Sequence, residues 1–473
     1  MMKAAHDAGV IPDEIFSKKG SHCDGAAMCK TFFCDGSRTL HHPAAMGEED
    51  FGDCYDRVAT APCSLSMQAW GAPVSSCRVL FKALLVMRFC LRTGFGESDE
   101  TYGGSEDDPV AGLGQGNCMA PPGFTSLSSM IVRAYRRLGH GAKLTSALTA
   151  SRFILAAIMF VDDTDLLHWA PTPTTSDEEL IEQVQVASDD WGHISQETGG
   201  ILKPVKCSLY LLAYKFIRGR ARLKSLRDLP PANAEVLTKD GKVVPGHVSV
   251  PQPDGSKVFI QTHDVTEASK MLGLHFAPCG NSSTHIEKMR QKGLDWADCL
   301  KTKPLPRRDA WFSFDFQLFR AMSWGLVAVV LPPKKLEKMI QSLYFWLLPY
   351  LGVNRCITKE WRMLPERFQG LGLPNFVVVS FAKKAFFVLC SWGFEDAPGK
   401  MMAWAFENFL IELGLYGNPF LLDFGRWEGL ATKGTWFKNL WQLASYLDVV
   451  IEVDQTRLIQ PVRLHDRSVI SEF

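Results

Sequence analysis

The residues most able to do chemistry in this chain are two adjacent carboxylates, Asp162 and Asp163, at the exit of a nine-residue apolar run from Phe153 to Val161. The run is short, bounded and rich in Ile, Leu, Phe and Val, which predicts a buried strand and not a membrane span. Carboxylates on a tight turn after such a strand must be solvated, paired or bound to a cation, because burying them bare costs several kcal/mol. A divalent cation is the natural partner. An acidic turn, or an N-cap pair on the next helix, is the alternative reading of the same two residues.

Upstream, Asp50-Phe51-Gly52-Asp53-Cys54-Tyr55-Asp56 places an aromatic five residues after one aspartate and a second aspartate six residues after it. Between this stretch and the Asp162 pair comes Gly114-Gln115-Gly116-Asn117-Cys118-Met119-Ala120-Pro121-Pro122-Gly123-Phe124. After the pair come Gly199-Gly200-Ile201-Leu202-Lys203-Pro204-Val205-Lys206, then Met271-Leu272-Gly273-Leu274, then Gln369-Gly370-Leu371-Gly372-Leu373-Pro374-Asn375. Taken in this order, the stretches resemble motifs A, B, C and D, the Leu-Gly turn and a thumb signature of reverse transcriptases, most closely those of non-LTR retrotransposons. The resemblance covers roughly residues 17 to 376. Any one of these patterns alone is weak; their order carries the likeness.

The resemblance implies an RNA-directed DNA polymerase with an RNA template, a DNA primer and deoxynucleoside triphosphates as partners. It implies two magnesium ions, with manganese as the alternative, held by Asp50, Asp162 and Asp163, of which Asp163 is the weaker candidate. Hard oxygen ligands suit such ions, and two of them can activate a 3′-hydroxyl and stabilise a leaving oxygen. Asp165 is expected to cap or solvate the second strand. Tyr55 would stack under the deoxyribose and exclude a 2′-hydroxyl, or else be a half-buried strand tyrosine. Gln115 and Gly116, with Phe51, are expected at the incoming nucleotide, although Gly-Gln-Gly by itself is only a turn. Lys206 would orient or protonate the departing pyrophosphate, or else be a surface lysine.

In one respect the chain departs from that pattern. Only 49 residues precede Asp50, where the family carries a whole fingers lobe, so a truncated copy is expected. A non-catalytic nucleic-acid-binding remnant is therefore the second functional reading.

Composition constrains these readings. With 51 basic and 51 acidic residues the formal charge is zero, so a nucleic-acid partner must be met by local and not global charge. Between Lys203 and Arg227 stand eight basic residues and no acidic one, interleaved with Tyr210, Tyr214 and Phe216, as a groove that pairs phosphates and stacks bases requires. A solvated strand face is the alternative. Thirteen cysteines without a signal peptide imply free thiols in a reducing compartment, hence nucleus or cytoplasm. Cys23, Cys29, Cys34, His41 and His42 are spaced too loosely for a zinc site. No apolar run approaches the ~18 residues of a membrane span, and oligomeric state is not legible.

The elements that must position these residues are expected as an α+β, right-hand polymerase architecture. Residues 1–49 would be a fingers remnant, 50–280 a palm with an antiparallel sheet, 281–390 a helical thumb and 391–473 a helical C-terminal extension. Apolar spacing in 62–93 predicts helices on the sheet, and Gly94 to Asp108 predicts an exposed loop or hairpin. Residues 176–197 read as an acidic amphipathic helix beginning near Ser176, with Asp177, Glu178 and Glu179 favouring its dipole. Asp240-Gly241 and Asp254-Gly255 predict hairpins in an insertion at about 230–262.

Overall fold

The computed structural model describes residues 2–105, 111–114, 116–303, 305–415 and 417–453. Expectations placed on Gln115, and on Glu106, Asp107 and Asp108, lie outside the described residues. Helices and strands are mixed along the chain in an α+β arrangement.

The apolar run before Asp162 forms extended backbone in two pieces, Arg152–Leu155 and Ala157–Phe160. At the break, the Ala156 N–H turns to the Glu14 carboxylate. The second piece enters a five-stranded sheet ordered Gln261–His263, Ser208–Leu212, Ala44–Asp50, Asp163–Trp169, Ala157–Phe160. Neighbours are antiparallel except Gln261–His263, which runs parallel to Ser208–Leu212. Ser-Leu-Tyr-Leu-Leu at 208–212 is buried throughout, as an apolar run covered on both faces must be. Ile15 bridges Met159 at the sheet edge, with hydrogen bonds in both directions between Glu14–Phe16 and Met159.

Two helices contribute much of the apolar packing. Ala120–Arg137 buries Leu127, Ile131 and Tyr135, and Asp177–Glu197 buries Leu180, Val184, Ala187 and Trp191, at the three- and four-residue spacing of a single helical face. Each buried Leu, Ile or Val among them contributes roughly 1.5–3 kcal/mol. The second helix begins where the acidic first turn predicts, with Ser176 and Glu179 in a reciprocal capping box.

The chain divides into two compact units that interleave in sequence. Residues 1–26, 42–144 and 153–264 form the first, and 27–41, 145–152 and 265–473 the second. This grouping differs from the contiguous four-part division expected from the sequence: residues 1–26 fall with the sheet, and 281–390 and 391–453 share one unit. Helical spacing shows which face of a segment is apolar, not which distant face covers it. In the second unit Phe32 stacks on Phe437 at 5.6 Å and meets Trp436 edge-on at 5.4 Å, and the Glu407 carboxylate accepts from the Leu148 and Thr149 N–H groups. Helices Ser283–Thr302, Pro333–Tyr350, Phe376–Ser391, Ala397–Leu413 and Trp436–Leu447 dominate it.

Both Asp-Gly hairpins are present, Ala234–Leu237 with Val243–Gly246 and Ser249–Pro251 with Lys257–Phe259. The expected helices at 62–93 are shorter, Thr60–Ala69 and Val74–Leu85. Arg88–Thr93 instead pairs with Gly96–Gly103 in an exposed hairpin. The helical spacing of Met87 and Leu91 is coincidental there: Leu91 is exposed, so no buried face rewards a helix.

Candidate active site

Asp50 is the last residue of the central strand and Asp163 the first of its neighbour, and the antiparallel register makes them direct partners. Opposed Cβ atoms in such a ladder are about 4.5–5.5 Å apart, so residues more than a hundred positions apart in sequence meet at one end of the sheet. Asp162 sits beside them in the two-residue turn after Phe160, whose first position, Val161, has φ 62°. A positive φ there is what tight hairpin turns require. For a β-branched residue it costs on the order of 1–3 kcal/mol.

Like charges directly opposed destabilise a ladder, and a cation offsets them here. The Lys206 ammonium donates to both carboxylate oxygens of Asp50, at 2.8 and 2.9 Å. That hydrogen bond, with the negative charges of Asp50, Asp162 and Asp163, holds Lys206 protonated above the ordinary lysine range, against partial desolvation. The lysine is delivered by backbone pairing. Gly52 N–H donates to the Ile201 carbonyl, Lys203 N–H to the Asp50 carbonyl, and Phe51 bridges Leu202. Gly199 permits this approach, since at φ +88° its Cβ would lie 2.2 Å from the Arg57 carbonyl oxygen. Beside this pair, Lys203 donates to Asp53 at 3.1 Å.

Tyr55 is half-buried, its ring 5.4 Å from that of Phe124 and tilted by 59°. Its carbonyl accepts from Leu113 N–H at 2.7 Å, which ties the Asp50–Asp56 stretch to the Gly-rich one. Burial raises the Tyr55 phenol, and the charges of Cys54 and Asp162 add to this, so the phenol is neutral and within electrostatic reach of Asp162. Gly116 is exposed at φ +91° with open space around it. Phe51 is a correction: its side chain is 5 % exposed, with its ring 6.1 Å from Trp191, so the ring is core packing and not a substrate contact. The following residue, Gly52, carries no side chain that could take its place.

Two further carboxylates share the Asp50–Asp163 face. Glu48 pairs with Asp165 in the register, and Ser208 Oγ donates to Glu48 at 2.7 Å. Asp165, expected to cap or solvate the second strand, is 6 % exposed. Period-two alternation from Asp50 and Asp163 would have placed both on that face. On the opposite face Glu49 is buried, which pushes its carboxyl up to about 7 despite a hydrogen bond with Cys207.

The donor chemistry of Asp50, Asp162 and Asp163 suits a hard divalent cation. Among the described residues, however, no group of three His, Cys, Asp or Glu side chains converges as a ready metal cluster, neither here nor around Cys23, Cys29, Cys34, His41 and His42. An incoming ion must displace Lys206 from Asp50. Replacing the lysine should therefore expose the site's demand for a cation. Lys206→Met is expected to lose about 1 kcal/mol of stability at low ionic strength, as an exposed pair of this kind allows. Millimolar magnesium should recover that loss and stabilise the variant more than the wild type, read as paired thermal melts with and without the ion. An equal magnesium response in the two proteins would remove these carboxylates as a cation site.

No helix among the described residues is long and apolar enough to cross a membrane. No family model and no curated protein matches the chain. Among solved structures it is similar to telomerase from Candida albicans in complex with a TWJ fragment of telomeric RNA, at 10% identity and TM-score 0.37, covering 87% of this chain and 54% of that one. It is also similar to telomerase from Candida tropicalis. The complex with the TWJ RNA fragment gives 10% identity and TM-score 0.31, over 82% of this chain and 53% of that one. The apo form gives 10% and 0.33, over 86% and 59%. The chain thus spans a little over half the length of these telomerase chains.

Proposed function

We propose that this chain is a reverse-transcriptase-type nucleotidyltransferase, with the five-stranded sheet as its palm and the helices of the second unit as its thumb. The observation that carries the reading is the register of Asp50 with Asp163 beside the tight turn of Asp162. Asp50, Asp162 and Asp163 would hold two magnesium ions, or manganese, which supply activation of a primer 3′-hydroxyl and charge neutralisation at an α-phosphate. The chain's own groups supply the rest. Lys206, freed from Asp50 when a cation binds, carries a proton toward a departing pyrophosphate. Tyr55, braced by Phe124, lies under the sugar, and Gly116 allows close approach of the incoming nucleotide.

The test is primer extension on an RNA template with deoxynucleotides and magnesium, beside an Asp162→Ala control. Incorporation that the substitution abolishes supports the enzyme, and incorporation that survives it sinks the assignment. A second reading, a nucleic-acid-binding remnant without turnover, is favoured by one observation: Lys206 engages both oxygens of Asp50, and no three donors converge among the described residues. Template–primer binding without incorporation selects it.

The sugar preference tests the role of Tyr55. Tyr55→Val is expected to raise ribonucleotide over deoxyribonucleotide incorporation by about ten- to hundredfold in kcat/KM ratio, or roughly 1.4–2.7 kcal/mol of differential transition-state binding. An unchanged ratio in a variant that still polymerises would make Tyr55 a packing partner of Phe124 only.

A further inference from the structure

The basic stretch from Lys203 to Arg227 separates by partner into two chemical sets. Its four lysines are engaged: Lys203 with Asp53, Lys206 with Asp50, Lys215 with Asp228 and Lys224 with Asp177. Arg218, Arg220 and Arg222 are exposed, and their guanidinium groups make no ion pair or hydrogen bond among the described residues. These three sit on one hairpin, Tyr214–Ile217 paired with Arg220–Leu223, which is a two-stranded sheet of its own. Its turn, Arg218-Gly219, has φ of 51° and 74°, as a tight two-residue hairpin requires.

The register sets the faces. Ile217 lies opposite Arg220 and Lys215 opposite Arg222, so Lys215, Arg220 and Arg222 share one side of the ribbon, with Arg218 at its tip. Phe216, on the reverse side, is 68 % exposed. Opposed and diagonal like charges weaken such a ladder, and an exposed aromatic adds nothing to its stability. In a chain of zero formal charge, three exposed arginines on one hairpin are a local concentration of positive charge and not part of a global excess. Guanidinium groups with free planar forks match phosphate oxygens two at a time, and an exposed ring can stack on a base.

The hairpin also has a defined place relative to the carboxylates. Ser208 lies opposite Glu48 and Leu212 opposite Ala44, so the chain leaves the sheet at the end away from Asp50. At about 3.3 Å per residue, the hairpin begins on the order of 25 Å from the carboxylates. A duplex rising about 3.4 Å per base pair covers that distance in about seven pairs.

We propose that the hairpin Tyr214–Leu223 is an arm that grips the phosphate backbone of a template–primer duplex about seven base pairs behind the carboxylates. The proposal rests on the polymerase reading for the identity of the polyanion, and charge complementarity selects nucleic acid as the occupant. Its signature is a dependence on duplex length.

The experiment measures fluorescence anisotropy with hairpin-capped template–primers whose stems are about 5 and about 15 base pairs long, across a salt series. The full chain is compared with the triple variant Arg218→Ala, Arg220→Ala, Arg222→Ala and with its Lys counterpart, each checked by circular dichroism for intact folding. The Ala variant should lose about tenfold or more in affinity for the long stem, its salt slope should fall by about 2–3, and its affinity for the short stem should change little. The Lys variant should keep most of the slope. Equal losses on both stems, or none on either, overturn the arm while leaving the polymerase reading in place. Anionic phospholipid vesicles that compete as well as the long stem also overturn it. A wild-type chain that binds neither stem overturns the arm and the nucleic-acid reading together.

Discussion

In a denaturant titration near pH 6, Lys384→Met is expected to be more stable than the wild type by several kcal/mol, with the difference shrinking as the pH rises toward that of an ordinary lysine. Lys384 is 0 % exposed, its ammonium donating to the Val327 carbonyl at 2.9 Å and lying 4.9 Å from the Trp436 ring centre. Burial pulls its pKa from 10.5 down to about 7, opposed by the charge of Asp35. A basic group with a depressed folded pKa leaves the unfolded chain binding more protons between about 7 and 10.5. Stability therefore rises with pH through that window, and the full penalty applies below it. The drop from 10.5 to about 7 corresponds to about 5 kcal/mol, reduced by about 1 kcal/mol for the lost hydrogen bond. Methionine fills a similar volume without a charge to bury.

Neither former neighbour of the lysine is stranded by the change. The Val327 carbonyl still accepts from Trp436 Nε1 at 2.6 Å. Asp35, whose carboxyl burial raises against the pull of Arg38, keeps its ion pair with Arg38 and accepts from the Trp436 N–H at 2.7 Å. The measurement is the pH dependence of the transition assigned to the second unit. A variant less stable than the wild type at pH 6 would show that Lys384 and Asp35 stabilise that unit as a buried charge pair.

Asp163→Asn should lower kcat/KM for primer extension by about a thousandfold or more, equivalent to about 4 kcal/mol, while making the protein in the absence of metal slightly more stable. The two effects have one cause. Asp163 opposes Asp50 in the ladder, so a neutral isostere removes a repulsion worth up to about 1 kcal/mol together with an anionic oxygen that a cation would need. Sequence resemblance ranks Asp163 below Asp162, but the register places Asp163 and not Asp162 directly across from Asp50. A melt and an extension assay on the same preparation check both halves. Extension within tenfold of wild type would mean that Asp163 takes no part, and that the turn residue Asp162 works with Asp50 alone.

Several features were legible because local chemistry dictates them. Ser176 with Glu179 three residues on, and three acids in the first turn, satisfy free N–H groups wherever that helix packs. Asp240-Gly241 and Asp254-Gly255 tolerate the positive φ of tight turns, observed as 73° and 80° at the glycines, and their hairpins form where the pairs stand. The nine-residue apolar run could be read as extended because no polar face interrupts it.

Tertiary placement decided the rest. That residues 27–41 belong with the C-terminal helices follows from Phe32 meeting Trp436 and Phe437, a match of shapes that no spacing rule encodes. Phe51 adjoins a candidate catalytic aspartate, yet its ring faces Trp191, since only the neighbouring strands settle which side of a strand is inside. The eight basic residues of 203–227 are equivalent as a string. They divide into paired lysines and free arginines because Asp50, Asp53 and Asp177 arrive from elsewhere in the chain, and Asp228, the residue just past the stretch, folds back onto Lys215. The order of the motifs was determined by sequence alone. The opposition of Asp50 to Asp163 was decided by strand register, because a shift of one residue would have turned either carboxylate to the other face of the sheet.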